Sequence, residues 1–572
     1  MSPKNQRNQE SEIGGQTLSL NAEQQKIFDL VVNEKQSIFL TAIAGSGKTY
    51  LVKEIDRAMR AKGYRIISVA FTGKAATLLR GGTTVSRCVQ MLRGEEDVLP
   101  EGVIEAQAWN GTVRTPLRQV YSNADPAWAC PNLLVIVDEV AQLSSEKARL
   151  FYDIGMKLRR SKSIHKPPIF IFAGDFGQFQ CINGSLIWEP ARYEYWKTVS
   201  EKAVHILPSV IDEVKPVPVQ LTQVMRQSEA VYLRALRWAY YGVALHPVFV
   251  ERLRQTPPSN TPRVFYNNKE VVAENRLYLE RFAEENPRAR SREYEYLGDR
   301  LSQSELNHLL PVQPSMRVYE GSSFTITVNV PDPNDPKKLI AANGEVVTVH
   351  RLMSRAIEVR KKDGTVITLN PVEHPLPADQ KGKTSRFCQL PGYPGPNSSL
   401  MKVQGETFEH PVIYAAWQWK RGQRVPLNEH GSIYVAASRN TKLEDIYFDT
   451  SFGIEEAEKL LRQSICVNPA IKKYLMQKKP YFYLVDSNRK HWVYEIVHCE
   501  EKENQTYQLG ILYTCIRTGQ EILYSALCQF RDSGADILQV EAVTDLSVSQ
   551  PLNSDSQVAI QKLLDTVVSY YT

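Results

Sequence analysis

Only eight of the 572 residues are cysteine, and no two stand in a C-x-x-C pair. That spacing supports neither a zinc site nor a disulfide framework and fits reduced thiols in an intracellular protein. No apolar run reaches the roughly 20 residues needed to cross a bilayer, and the polar start from Met1 to Thr17 lacks the apolar stretch of a secretory leader. Internal repeats and heptads are missing too, which excludes solenoids and long coiled coils. Charge of one sign is also scarce: the net charge of +6 is compatible with a polyanionic partner and does not identify one. What remains is a soluble, intracellular chain whose compartment (nucleus, cytoplasm or organelle) is not readable. Its 42% hydrophobic and 23% charged residues are ordinary for a globular protein. Its length suggests roughly three or four domains.

Apolar runs at residues 37–40, 65–70, 133–137 and 168–173 alternate with helical stretches. The alternation predicts a parallel sheet with helices on both faces. A second alternating region runs from about Leu221 to Glu320, and period-two alternation takes over at residues 343–370 around the turn Lys362-Asp363-Gly364-Thr365. This reads as a small antiparallel barrel inserted in a second α/β unit. The expected division is a disordered segment 1–17, a first domain 18–225 with an insertion at about 92–131, a second domain 226–466 with the barrel at about 340–400, and an accessory domain 467–572. The last is aromatic and strand-rich, with a helical pattern at 556–571 and no catalytic constellation.

The chemistry starts at Ala42-Ile43-Ala44-Gly45-Ser46-Gly47-Lys48-Thr49, which follows the apolar run Ser37-Ile38-Phe39-Leu40 and opens a predicted helix. Strand, glycine-bearing loop and helix in that order make a phosphate cradle of backbone N–H groups and a helix N-terminus. Ala44, Gly45, Ser46, Gly47, Lys48, Thr49 and Tyr50 form the expected binding stretch, with Ala42 where a first glycine is usual. Lys48 would reach the β- and γ-phosphates of ATP, and the Thr49 hydroxyl would hold Mg²⁺. The strand at 133–137 ends in Asp138-Glu139. Acids at the carboxyl end of a parallel strand face the ligand crevice, so Asp138 suits the Mg²⁺ shell and Glu139 suits activation of the attacking water. Gln178, in Gly174-Asp175-Phe176-Gly177-Gln178, carries an amide that can donate to a γ-phosphate and accept from water. Arg226 and Arg439 are candidate arginine fingers from across a domain cleft.

Taken in order, these motifs resemble the superfamily-one DNA helicases of the RecD-like branch, which includes the PIF-type and phage Dda helicases. Leu20-Asn21-Ala22-Glu23-Gln24 is similar to the adenine-reading Q motif, with Gln24 as reader. Phe71-Thr72-Gly73-Lys74-Ala75-Ala76 and Gly82-Thr83-Thr84-Val85-Ser86 resemble the strand-contacting motif. Asn268 and Asn275 fall where spaced asparagines are usual, and Asn343-Gly344-Glu345-Val346 resembles the entry to an SH3-like barrel. Lys402-Val403-Gln404-Gly405-Glu406-Thr407 and residues 433–439 resemble the fifth and sixth motifs. Departures stand at Ser86, Val140-Ala141, Phe179-Gln180-Cys181, Met401 and Ala437.

The resemblance implies an α/β fold of two RecA-like parallel-sheet domains. The first carries a small insertion and the second an SH3-like β-barrel insertion; the C-terminal α+β accessory domain is read from the residues themselves, since the resemblance ends near Phe452. It implies ATP and Mg²⁺ in the cleft, with Gly405 and Glu406 also bordering the nucleotide. Single-stranded DNA and tailed or forked duplexes are the implied partners. Thr72, Ser86, Gln404 and Thr407 would hold the strand backbone, and Phe71 is either a base-stacking platform or core. The implied direction is 5′→3′, the insertion would supply a strand-splitting pin tipped by Trp109 or Trp128, and the basic run 157–162 reads as a solvated helix end. A protein partner through the C-terminal domain, a monomeric state, and two alternatives to DNA unwinding (an ATP-gated remodeller and an RNA helicase) complete the expectations.

Overall fold

The structure is a computed structural model that describes residues 19–71, 73–84, 132–149, 152, 168–181, 185–196, 202–328, 330–332, 335–341, 343–374, 376, 385–471, 483–485, 492–501, 506–531, 534–544, 548–550 and 561. The expected disorder at 1–17, the insertion at 92–131 with Trp109 and Trp128, the basic run 157–162, and Thr72 and Ser86 lie outside the described residues.

Apolar runs become the strands of a six-stranded parallel sheet, ordered Thr83–Thr84, Arg65–Ala70, Leu133–Asp138, Ile169–Gly174, Ile38–Ala42 and Val217–Leu221. Every residue of Ile38–Ala42, Leu133–Asp138 and Ile169–Gly174 is buried. A parallel sheet covered on both faces needs such continuous hydrophobicity. Ile38, Leu40, Leu134, Ile136 and Ile171 pack on one face with Leu51, Ile55 and Met59 of the helix Lys48–Ala61. Phe39, Val135, Val137, Phe170 and Phe172 pack on the other face, in one core with Trp238, Tyr240 and Tyr241 of the helix Ala230–Tyr241. The register sets Thr41 beside Gly174 and Ala70 beside Asp138, so the loops that follow these strands share one edge.

A second parallel sheet orders Ser398–Ser399, Arg263–Phe265, Val412–Tyr414 and Ile446–Phe448. Its first two strands are neighbours in space, and the chain between them forms an antiparallel sheet of Val366–Leu369, Ile357–Arg360, Val346–Leu352, Ser323–Ile326 and Gly392–Pro394. Phe324, Val347, Val349, Ile357, Val359 and Leu369 form its core. The inserted sheet therefore takes in a strand upstream of residue 340.

The C-terminal segment is a six-stranded antiparallel sheet in chain order, from Tyr483–Val485 to Val548–Gln550. It docks on the helix Ala230–Tyr241: Val493 is fully buried in the core that holds Trp238 and Tyr240. At this junction Trp238 Nε1 donates to Glu495 Oε2 at 3.4 Å, and Arg234 Nε lies 3.5 Å from the same oxygen. A second nitrogen of Arg234 reaches Glu521 at 2.6 Å. Glu495 is 1% exposed, and burial pushes its carboxyl up from the ordinary value against the pull of Arg234. Glu495→Ala would orphan the buried Trp238 N–H while Glu521 keeps Arg234 paired. Loss of about 1–3 kcal/mol of unfolding free energy is expected in denaturant titrations. An unchanged midpoint would show that the junction carries no stability. Among the described residues no helix is long and apolar enough to cross a membrane.

Candidate active site

The strand Ile38–Ala42 ends in a loop that turns twice through left-handed backbone, at Gly45 (φ +81°) and Gly47 (φ +80°), before the helix Lys48–Ala61 begins. Space as well as φ demands glycine there. A Cβ on Gly45 would lie 2.6 Å from Arg226 Cβ, and one on Gly47 would lie 2.6 Å from Gln24 Nε2. The Met225 N–H donates to Gly45 O at 2.7 Å and further fixes the loop. The Ser46 hydroxyl is buried and has no hydrogen-bond partner among the described residues. A cradle with an orphaned hydroxyl is built for a ligand.

The loop forms one wall of a cavity of about 410 Å³ between the two parallel-sheet units. Ala44 to Tyr50, Asp138, Glu139 and Gln178 line it from the first sheet. Arg226, Gln404, Gly405 and Arg439 line it from the far side. Residues up to 397 positions apart (42 and 439) thus meet in one cleft.

Lys48 Nζ is ion-paired with Asp138 Oδ1, and the Glu139 N–H donates to that same oxygen at 2.7 Å. Glu139 itself is held at φ +55°, a conformation unusual for a residue with a Cβ, as the chain turns into Val140–Gln142. Such strain persists where the surroundings over-determine it, often at functional sites. Gln178 Nε2 donates to Asp175 Oδ2 at 3.0 Å, and Gln178 Oε1 accepts from Gln404 Nε2 at 2.8 Å.

The two arginines lie together. Arg226 donates to Ser438 O at 2.9 Å. Arg439, 1% exposed, donates to Val435 O at 2.9 Å, to Ser438 Oγ at 2.6 Å and to Glu406 O at 3.4 Å. These partners are all neutral oxygens. Burial, and then the neighbouring Arg439, push the Arg226 guanidinium down to about 10. Two crowded cations lining a cavity favour an anion between them.

The remaining expected residues make contacts of their own. Gln24 is 4% exposed behind the loop, where Oε1 accepts from the Asn21 N–H at 3.1 Å and Nε2 donates to Ser46 O at 3.4 Å. Its amide closes the capping box of the helix Ala22–Val32 and props the phosphate loop. Gln404, expected on a DNA backbone, lies in the cleft wall against Gln178. The Glu406 N–H closes a turn on Val403 O at 3.0 Å, and Thr407 is exposed. Phe71 is half-buried against the first core, with Lys147 Nζ 5.4 Å from its ring centre. Sequence reasoning did not single out Tyr434, whose hydroxyl accepts from the Ala44 N–H at 2.6 Å and donates to Asp175 at 2.8 Å. The signal was present, since Tyr434 lies inside the sixth-motif run and Asp175 inside the third.

Two parallel sheets joined across a phosphate loop, with acids on one wall and arginines on the other, define a P-loop protein of the RecA-like class. The AAA domain family matches residues 19–160. A crystal structure of the Pif1 helicase from Candida albicans superimposes over 80% of this chain and 99% of that one, with a TM-score of 0.55 at 17% identity. A Pif1 structure described as a structural basis for unwinding of forked double-stranded DNA by two coordinating helicases gives 0.51 at 19% identity, covering 80% and 96%. Among curated proteins, the ATP-dependent DNA helicase PIF1 of Homo sapiens is 28% identical over 225 residues, 39% of this chain and 30% of that protein. The ATP-dependent DNA helicase PIF7 of Trypanosoma brucei brucei is 46% identical over 66 residues, 12% and 6% of the respective chains. The matches thus span less than a third of these curated relatives. By fold, motif order and sequence likeness, the chain is similar to the PIF-type superfamily-one helicases.

Proposed function

We propose that this chain is an ATP-driven motor that moves along single-stranded DNA, 5′→3′, and separates duplexes. The observation that carries the reading is the cleft itself, where Lys48, Glu139 and Gln178 face Arg226 and Arg439 across one cavity. The loop amides would hold the phosphates of ATP, and Lys48 would transfer its charge from Asp138 to the β- and γ-oxygens. Thr49 and Asp138 present hard oxygen donors to the same cavity and fit Mg²⁺, which favours oxygen ligands and shares substrate phosphates. When bound there, the ion would supply electrostatic stabilisation of phosphate charge. Glu139 would take a proton from the attacking water, and Gln178 would orient that water. Charge on the departing phosphoryl group would fall to Arg226 and Arg439. Loss of the γ-phosphate removes the anion that holds two crowded cations against the first domain, so the cleft relaxes. A strand bridging both domains is then stepped. Separating a base-pair step costs ~1.4 kcal/mol, well within one hydrolysis.

DNA as the track is supported by the names of the matched relatives, and the direction by the family resemblance. Thr72, Ser86, Thr407 and Phe71 are proposed strand contacts, and the sheet after residue 483 is proposed as a partner surface. The test is ATP hydrolysis by the full chain with and without single-stranded DNA. Stimulation by the strand, lost when EDTA removes Mg²⁺, is the expected result. Hydrolysis that ignores DNA would overturn the motor reading.

A further inference from the structure

The two domains make a close contact where the turn before the helix Ser432–Ala437 meets the loop after the strand Ile169–Gly174. His430 Nδ1 accepts from the Asn468 N–H at 3.0 Å, so Nε2 carries the hydrogen and donates to Phe176 O at 2.7 Å. Burial keeps this imidazole neutral by pushing it down to about 4. A Cβ on Gly431 would lie 1.9 Å from Gly177 O, and one on Gly177 would lie 2.2 Å from the Tyr240 ring and 2.8 Å from the Tyr434 ring. Nothing larger than glycine fits on either side of this contact.

Through this contact Tyr434, 1% exposed, reaches the phosphate loop of the other domain. Its hydroxyl takes the Ala44 N–H at 2.6 Å and gives its own hydrogen to Asp175 Oδ2 at 2.8 Å. That oxygen also accepts from Gln178 Nε2 at 3.0 Å, while Asp175 Oδ1 accepts from the Gly177 N–H at 3.0 Å. One unbroken chain of hydrogen bonds therefore runs from the phosphate loop through Tyr434 and Asp175 to Gln178. Burial pushes the phenol well above its ordinary value, so it stays a donor. Asp175 is pushed up to about 6 by burial and remains largely ionised at neutral pH.

We propose that Tyr434 is a positioning residue for ATP hydrolysis. Its hydroxyl, anchored on the phosphate loop, holds Gln178 through Asp175 only when the second domain is docked, so that the amide faces the γ-phosphate in the closed cleft alone. The inference rests on reading the cleft as an ATPase site. Tyr434 does not line the cavity and acts through Asp175 and Gln178, which do.

The test is a double-mutant cycle in the full chain with wild type, Tyr434→Phe, Gln178→Ala and the pair. MgATP turnover is measured at saturating single-stranded DNA, with single-turnover rates for the slow variants. Binding is followed with a fluorescent (mant) ADP, and folding by thermal melting. Phenylalanine keeps the ring on Tyr240, whose centre is 5.1 Å away. Tyr434→Phe is expected to lower kcat about 10-fold, with KM and mant-ADP affinity changed less than about 3-fold. In the Gln178→Ala background the same change should cost less than about 2-fold, because the residues act as one unit. An unchanged kcat, an equal loss in both backgrounds, or a loss confined to melting temperature or mant-ADP affinity would overturn the proposal. If wild type fails to hydrolyse ATP, the ATPase reading falls and this inference with it. If wild type hydrolyses, Lys48→Ala does not, and Tyr434→Phe matches wild type, this inference falls alone.

Discussion

Arg226→Ala is expected to slow ATP hydrolysis about 10³-fold or more, the usual range for an arginine finger, with little change in nucleotide affinity. The expectation follows from where its charge sits. Arg226 lines the cavity, donates to the neutral Ser438 carbonyl, and is held down to about 10 by burial and by Arg439. A phosphoryl group gaining charge in the transition state relieves that crowding, whereas a bound diphosphate gains less from it. Arg226 is the cleaner of the two proposed fingers to test. Arg439 also holds Val435 O and Ser438 Oγ, so Arg439→Ala would remove charge and loosen the helix Ser432–Ala437 together. Single-turnover hydrolysis alongside mant-ADP binding separates the effects. Wild-type hydrolysis in Arg226→Ala would remove this residue from the chemistry.

Lys48→Ala is expected to lower hydrolysis at least ~10²–10³-fold, the cost of losing one preorganised electrostatic contact. The structure adds a second consequence. Asp138 has a side chain only 5% exposed and is ion-paired with Lys48, which is itself 18% exposed. Removing the ammonium leaves a buried carboxylate without its partner, a loss of up to about 3 kcal/mol in stability. The melting temperature of the unliganded variant should therefore fall, and Lys48→Ala,Asp138→Asn should recover much of it without recovering hydrolysis. Turnover at the wild-type rate in Lys48→Ala would refute the assignment of the phosphate loop.

The cleft was legible in the sequence where function demands neighbouring residues. A phosphate cradle is made by consecutive amides, so Gly45, Gly47, Lys48 and Thr49 announce it together. The acids were readable for a related reason: a fully buried strand is an unbroken apolar run, and Asp138-Glu139 mark where it leaves the sheet. Side-chain partners across the cleft were not legible, because no local pattern encodes them. Gln404 meets Gln178 over 226 positions, and Tyr434 meets Ala44 over 390. Gln24 fits an adenine reader by motif, while its capping box with Asn21 is equally local and uses the same amide. The strand Ser323–Ile326 is only four residues long, too short for period-two alternation to announce the inserted sheet upstream of residue 340. The docking of the C-terminal sheet depends on Glu495 meeting Arg234 and Trp238, a buried polar junction that reads in sequence as ordinary strand and helix surface. Because Val493 shares a core with Trp238 and Tyr240, point variants at this junction are a better probe of the segment than its deletion.

ATP turnover in this cleft is proposed to drive directed motion on DNA. Strand separation with MgATP, on duplexes bearing only a 5′ tail or only a 3′ tail, tests it most directly. Unwinding of the 5′-tailed duplex is expected, none of the 3′-tailed one, and none of either with Lys48→Ala. Unwinding of neither duplex, with strand-stimulated hydrolysis intact, would contradict it.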